Sequence, residues 1–108
     1  MDIDLYQERA MSTALDSALN FTYLSAGATA ELGEALGILA KHVRDNPGQP
    51  LSEEQKNSLT KEIGDVYWFM ALFQYLTGIK GSDVLRVNVD KLMSRKQRGV
   101  IGGSGDNR

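Results

Sequence analysis

From Val66 to Phe73 the chain reads Val-Tyr-Trp-Phe-Met-Ala-Leu-Phe, with no polar residue, directly after Glu62 and Asp65. Such a run is far shorter than the roughly 20 residues that span a bilayer, so it predicts a core helix without a solvent face. On a helical wheel Glu62 falls in the arc of Val66, Phe69 and Phe73, and Asp65 falls beside Leu72 and Leu76. Both acids are thereby expected on the buried side. An unpaired buried carboxylate costs several kcal/mol, and two unit charges about 4 Å apart repel by roughly 4 kcal/mol at an effective dielectric of about 20. Helical ion pairs, at about 0.2–0.5 kcal/mol each, cannot offset that.

A second couple, Glu31-x-x-Glu34, has the same i, i+3 spacing in another helical stretch. Residues so spaced share one face of a helix. Two such helices facing each other would enclose an acidic hole. A hard divalent cation, Mg2+ or Mn2+, is the counterion that all-oxygen ligation favours.

The fold expected around these acids is all-α, an antiparallel bundle of about four helices. Asp4 is placed to cap a first helix reaching about Leu24, and Ser25-Ala26-Gly27 to break the chain before a second helix over about 28–44. In that second helix Gly33 and Gly37 each cost roughly 1 kcal/mol against alanine, which predicts a close approach by another backbone. His42 reads as a surface histidine near the helix end. The prolines and glycine of Asp45-Asn-Pro-Gly-Gln-Pro50 form a loop. Ser52 and Gln55 then make a capping box for a third helix over 53–77, which Gly78 stops. Ser82 or Asp83 is expected to cap a fourth helix ending near Arg98. Residues 1–98 are read as one domain and 99–108 as a glycine-rich tail.

A chain of 108 residues cannot easily cover an apolar helix by itself, so the core is expected to be completed by further copies, as a homodimer or a dimer of dimers. The net charge of −2, from 12 basic and 14 acidic residues, argues against binding to nucleic acid polymers or to membrane surfaces. The start lacks the basic and apolar regions of a signal peptide, and no cysteine is present. Both suit a cytoplasmic protein.

Glu31-x-x-Glu34, Glu62-x-x-Asp65 and Asn88-x-x-Lys91-x-x-x-Arg95, with Tyr23-Leu24 and Val66-Tyr67-Trp68 beside them, together resemble the MazG-like family of all-α nucleoside triphosphate pyrophosphohydrolases. The likeness covers about residues 20–98, and the ending Gly102-Gly-Ser-Gly-Asp-Asn-Arg108 is similar to short stand-alone members. Ala30 departs from it, because the family motif commonly begins with two adjacent glutamates. The missing acid lies outside the i, i+3 couple, so metal ligation is expected to survive.

The resemblance implies a Mg2+-dependent hydrolase that converts an NTP or dNTP to the monophosphate and pyrophosphate, in the service of nucleotide-pool cleaning. It implies that Glu31, Glu34, Glu62 and Asp65 hold the metal, with Glu31 or Glu34 acting on the water. Lys91 and Arg95 would bind the triphosphate, assisted by Asn88. Trp68, about 60° from Asp65 on the wheel, is placed either to stack on a base or to pack in the core or an interface. The tail is either a disordered end or a phosphate lid with Arg108 as a contact. The alternative function is a non-catalytic helical dimerisation or regulatory module that binds metal or nucleotide.

Overall fold

A computed structural model describes residues 1–108 and is all-helical. It comprises α1 (Ile3–Met11), a 3₁₀ turn (Asp16–Ala18), α2 (Phe21–Asp45), α3 (Glu53–Thr77) and α4 (Gly81–Arg98). The short loop between the two 25-residue helices folds α2 and α3 into a hairpin. That hairpin is the main contact in the chain; α1 lies on α3, and α4 meets the rest chiefly through α1.

The ends of α3 follow the expected chemistry. Ser52 Oγ accepts from Gln55 N at 3.1 Å, and Gln55 Oε1 accepts from Ser52 N at 2.8 Å. Gly78 closes the helix at φ 71°. The same Gln55 reaches further, since its side-chain amide donates to His42 Nδ1 at 3.1 Å. His42 Nε2 in turn donates to the Gln49 carbonyl oxygen at 2.6 Å. His42 is therefore buried under the 46–50 loop and holds it, not the surface residue expected from its place near a helix end.

The first two helices are redrawn. α1 stops at Met11, and its cap is Asp2, which accepts from Leu5 N at 2.8 Å. Asn20 caps α2 by accepting from Tyr23 N at 2.7 Å, and the helix runs through Ser25, Ala26 and Gly27 unbroken. Gly27 is there for space. A Cβ at this position would run into the ring of Phe69, which is buried between the rings of Tyr23 and Trp68. Overpacking typically costs about 1–3 kcal/mol, whereas alanine gains only roughly 1 kcal/mol of helix propensity. With Phe69 confined, the clash should win. Gly27→Ala is expected to lower the thermal midpoint; a raised midpoint would show that the ring can give way.

α4 is capped from outside. Its N-cap, Lys80, makes no side-chain bond. Instead Asp4 Oδ1 accepts from Ser82 N at 2.9 Å, and Gln7 Oε1 accepts from Gly81 N at 3.0 Å. Asp4 thus caps the fourth helix and not the first. Its hydrogen bonds from Ser82 and the nearby charge of Lys80 hold its carboxyl below the usual range.

The single chain leaves much apolar surface open. Only 10 of 108 residues are buried. The radius of gyration is 16.9 Å, against about 13 Å for a compact domain of this size. Tyr67 and Met70 of the apolar α3 run are exposed, as are Leu85, Val87 and Met93 of α4. Nothing approaches Gly33 or Gly37 within the chain, so the close contact expected there is absent from the monomer.

Candidate functional site

The α2–α3 hairpin brings the two acidic couples together. One oxygen each from Glu31, Glu62 and Asp65 lie within 4.8 Å of one another. Glu34, one turn along α2 from Glu31, is not among the three but lines an open groove of about 540 Å³ with Glu62, Gly33, Gly37, Ile38 and Lys41. Packing the helices thus converts two separate i, i+3 couples into one carboxylate cluster.

Burial divides the acids across the helix pair and not along each helix. Glu31 Oε2 and Glu62 Oε2 are both shielded from solvent and without a hydrogen-bond partner. Glu34 and Asp65 are exposed. The expectation that Glu62 and Asp65 form the buried couple is corrected accordingly, because Glu31 faces Glu62 across the interface while Asp65 turns to the rim. Desolvation, reinforced by the charges of Glu34 and Asp65, pushes the Glu31 carboxyl above the usual carboxylate range. Desolvation also raises Glu62, together with contact and repulsion from Glu34 and the charges of Glu31 and Asp65. Two half-buried carboxylates with orphaned oxygens and raised proton affinity form a cluster that could hold either a shared proton or a cation.

The basic pair lies elsewhere in the chain. Arg95 is buried, and Lys91 half-buried, on a helix whose other residues from Asp83 to Arg98 are exposed. Their partner is the tail. Lys91 Nζ lies 3.3 Å from Asp106 Oδ1, and Arg95 Nη2 lies 3.4 Å from the same oxygen and donates to the Asp106 carbonyl at 2.9 Å. Asn88 is exposed beside Lys91 in a shallow groove with Asp83, Val84 and Val87. No hydrogen bond or ion pair joins this surface to the acids, and the two grooves share no residue. The chain alone does not bring the acids and the basic pair into one pocket.

The remaining expected residues, both half-buried, are engaged by partners within the chain. Trp68 Nε1 donates to Thr13 Oγ1 at 2.9 Å, and its ring meets Phe69 edge-on. Arg108 donates to the carbonyls of Val100, Gly105 and Ile101, at 3.1, 2.6 and 3.0 Å. Two residues not foreseen belong to the picture. Lys41, two turns along α2 from Glu34, lines the acidic groove, a position legible in its i+7 spacing from Glu34. Asp106, the neutralising carboxylate of the basic pair, carried no signal in the local pattern.

The chain is 38% identical over 115 aligned residues to the Gene 37 protein of Mycobacterium phage L5, and the match spans the whole of both proteins. No protein-family model matches the chain. No solved structure matches it either.

Proposed function

The chain belongs to the family of the Gene 37 protein of Mycobacterium phage L5, and we propose that it is a Mg2+-dependent nucleoside triphosphate pyrophosphohydrolase of the MazG-like kind. The observation that carries this reading is the meeting of Glu31, Glu62 and Asp65 with two orphaned, shielded oxygens among them. A solvent-shielded carboxylate oxygen without a donor among its neighbours is well served by a cation. An all-carboxylate set suits Mg2+, with Mn2+ as a substitute. Held there, Mg2+ would neutralise charge on the phosphate oxygens of an NTP or dNTP.

The chain's own groups supply the rest. Glu34 is exposed beside the cluster and outside its closest trio, so it can accept a proton from water and orient the oxygen toward the α-phosphorus. As that oxygen bonds to the α-phosphorus, the bond to the α–β bridging oxygen breaks, leaving a nucleoside monophosphate and pyrophosphate. Lys91 and Arg95 would bind the phosphates, with Asn88 beside them. Because one chain keeps these residues away from the acids, the reading requires assembly into a dimer or a dimer of dimers, or a closure of α4, to complete the site. Nucleotide-pool cleaning in the cytoplasm is the role that fits such an activity. No helix is long and apolar enough to cross a membrane.

The separation of the acids from the basic pair, with Ala30 in place of a further glutamate, favours a second reading. In it the chain is a helical dimerisation module that binds metal or nucleotide without turnover. A pyrophosphate-release screen over canonical NTPs and dNTPs separates the two. Release that requires Mg2+ and stops in EDTA is expected; nucleotide binding without product across the whole panel would establish the second reading.

A further inference from the structure

The tail is a folded object and not a loose end. Gly99, Gly103 and Gly105 take φ of 72°, 99° and 86°, left-handed values that turn the chain back along α4. Arg108 fastens the resulting loop through its three carbonyl contacts, and Arg98 Nη2 donates to the backbone oxygen of Arg108 at 2.7 Å. The loop sets Gly105 and Asp106 over Arg95, whose Nη2 also donates to the Gly105 carbonyl at 3.3 Å. Since the residues of α4 on either side are exposed, this loop is what buries Arg95.

We propose that residues 100–108 form a removable plug, in which Asp106 occupies the Lys91–Arg95 pair as a built-in stand-in for phosphate that a polyphosphate must displace. The proposal rests on the phosphate-binding role given above to Lys91 and Arg95. One carboxylate faces two positive charges, so the pair keeps an unneutralised charge. Arg95 Nε is shielded and has no partner, so the plug leaves the guanidinium incompletely satisfied. A polyphosphate brings several oxygens and more negative charge, and it can engage both edges of a guanidinium where Asp106 engages one. Displacement starts from the Asp106 side, whose side chain is 85% exposed although Arg95 beneath it is buried, and the pair with Lys91 is open to solvent and weak. Locally anchored segments of this kind open without unfolding the rest of the protein.

Inorganic tripolyphosphate with Mg2+ is the probe, titrated by calorimetry into the full chain and into Asp106→Asn. Hydrogen exchange is followed over residues 100–108 in parallel. The isosteric change at an exposed site leaves the fold intact and removes the competing charge. The variant is expected to bind about fivefold more tightly, the scale of one weak ion pair. In the wild type, exchange in the tail should rise on saturation. Unchanged or weaker binding by Asp106→Asn overturns the proposal, as does a tail that stays protected at saturation or an absence of tripolyphosphate binding in both proteins. The measurement needs no turnover. A chain that releases no pyrophosphate but sheds its tail on binding would refute the hydrolase reading and keep this one.

Discussion

Glu62→Gln is expected to abolish Mg2+-dependent pyrophosphate release and, in the same protein, to raise the thermal midpoint measured in EDTA. The two effects have one cause. Without a cation, the Glu62 carboxylate is held out of water with an orphaned oxygen and is repelled by Glu34, Glu31 and Asp65, which is why its proton affinity is raised. An acid whose folded pKa exceeds its unfolded pKa takes up protons on folding, so stability falls as pH rises from the ordinary carboxylate range through the raised value. Glutamine keeps the shape and deletes that penalty. In EDTA the wild type should therefore lose stability across that window and the variant should lose less. With Mg2+ the order reverses, because only the wild type gains from binding. If the acids merely fixed the bundle, Glu62→Gln would lower the EDTA midpoint and leave any activity unaltered, and that outcome would sink the metal-site reading.

Assembly should be as large an effect on stability as the metal is on activity. Side chains such as Tyr67, Leu85, Val87 and Met93 remain more than half exposed in the single chain, and large apolar side chains left open on two helices call for covering by another copy. A standard interface covers about 800 Å² on each partner. The chain is accordingly expected to sediment as two or four copies, with a thermal midpoint that rises with protein concentration. A single copy whose midpoint is indifferent to concentration would refute the oligomer, and the site would then need to be completed by movement of α4 within one chain.

What was legible in the sequence is where local chemistry decides. The Ser52–Gln55 box and the left-handed Gly78 bound α3 because caps involve residues three or four apart. The acids were legible as couples for the same reason, since i, i+3 spacing determines a shared face. What was misread involves distant partners. Gly27 looked like a helix breaker because its purpose, room for Phe69, lies on another helix. Asp4 looked like the cap of its own helix, although its partner is Ser82. His42 looked exposed because the loop it holds closes over it only in three dimensions.

The sequence by itself determined that the chain is all-α, that α3 is apolar through its centre, and that four carboxylates come in pairs. Only the tertiary structure decided that Glu31 and Glu62 hold the shielded oxygens while Glu34 and Asp65 stand at the rim, and that Asp106 sits on Lys91 and Arg95. The physical reason is the range of the forces. Helix periodicity and capping act within one turn, whereas desolvation of a carboxylate and neutralisation of a buried guanidinium depend on which surfaces meet across the fold.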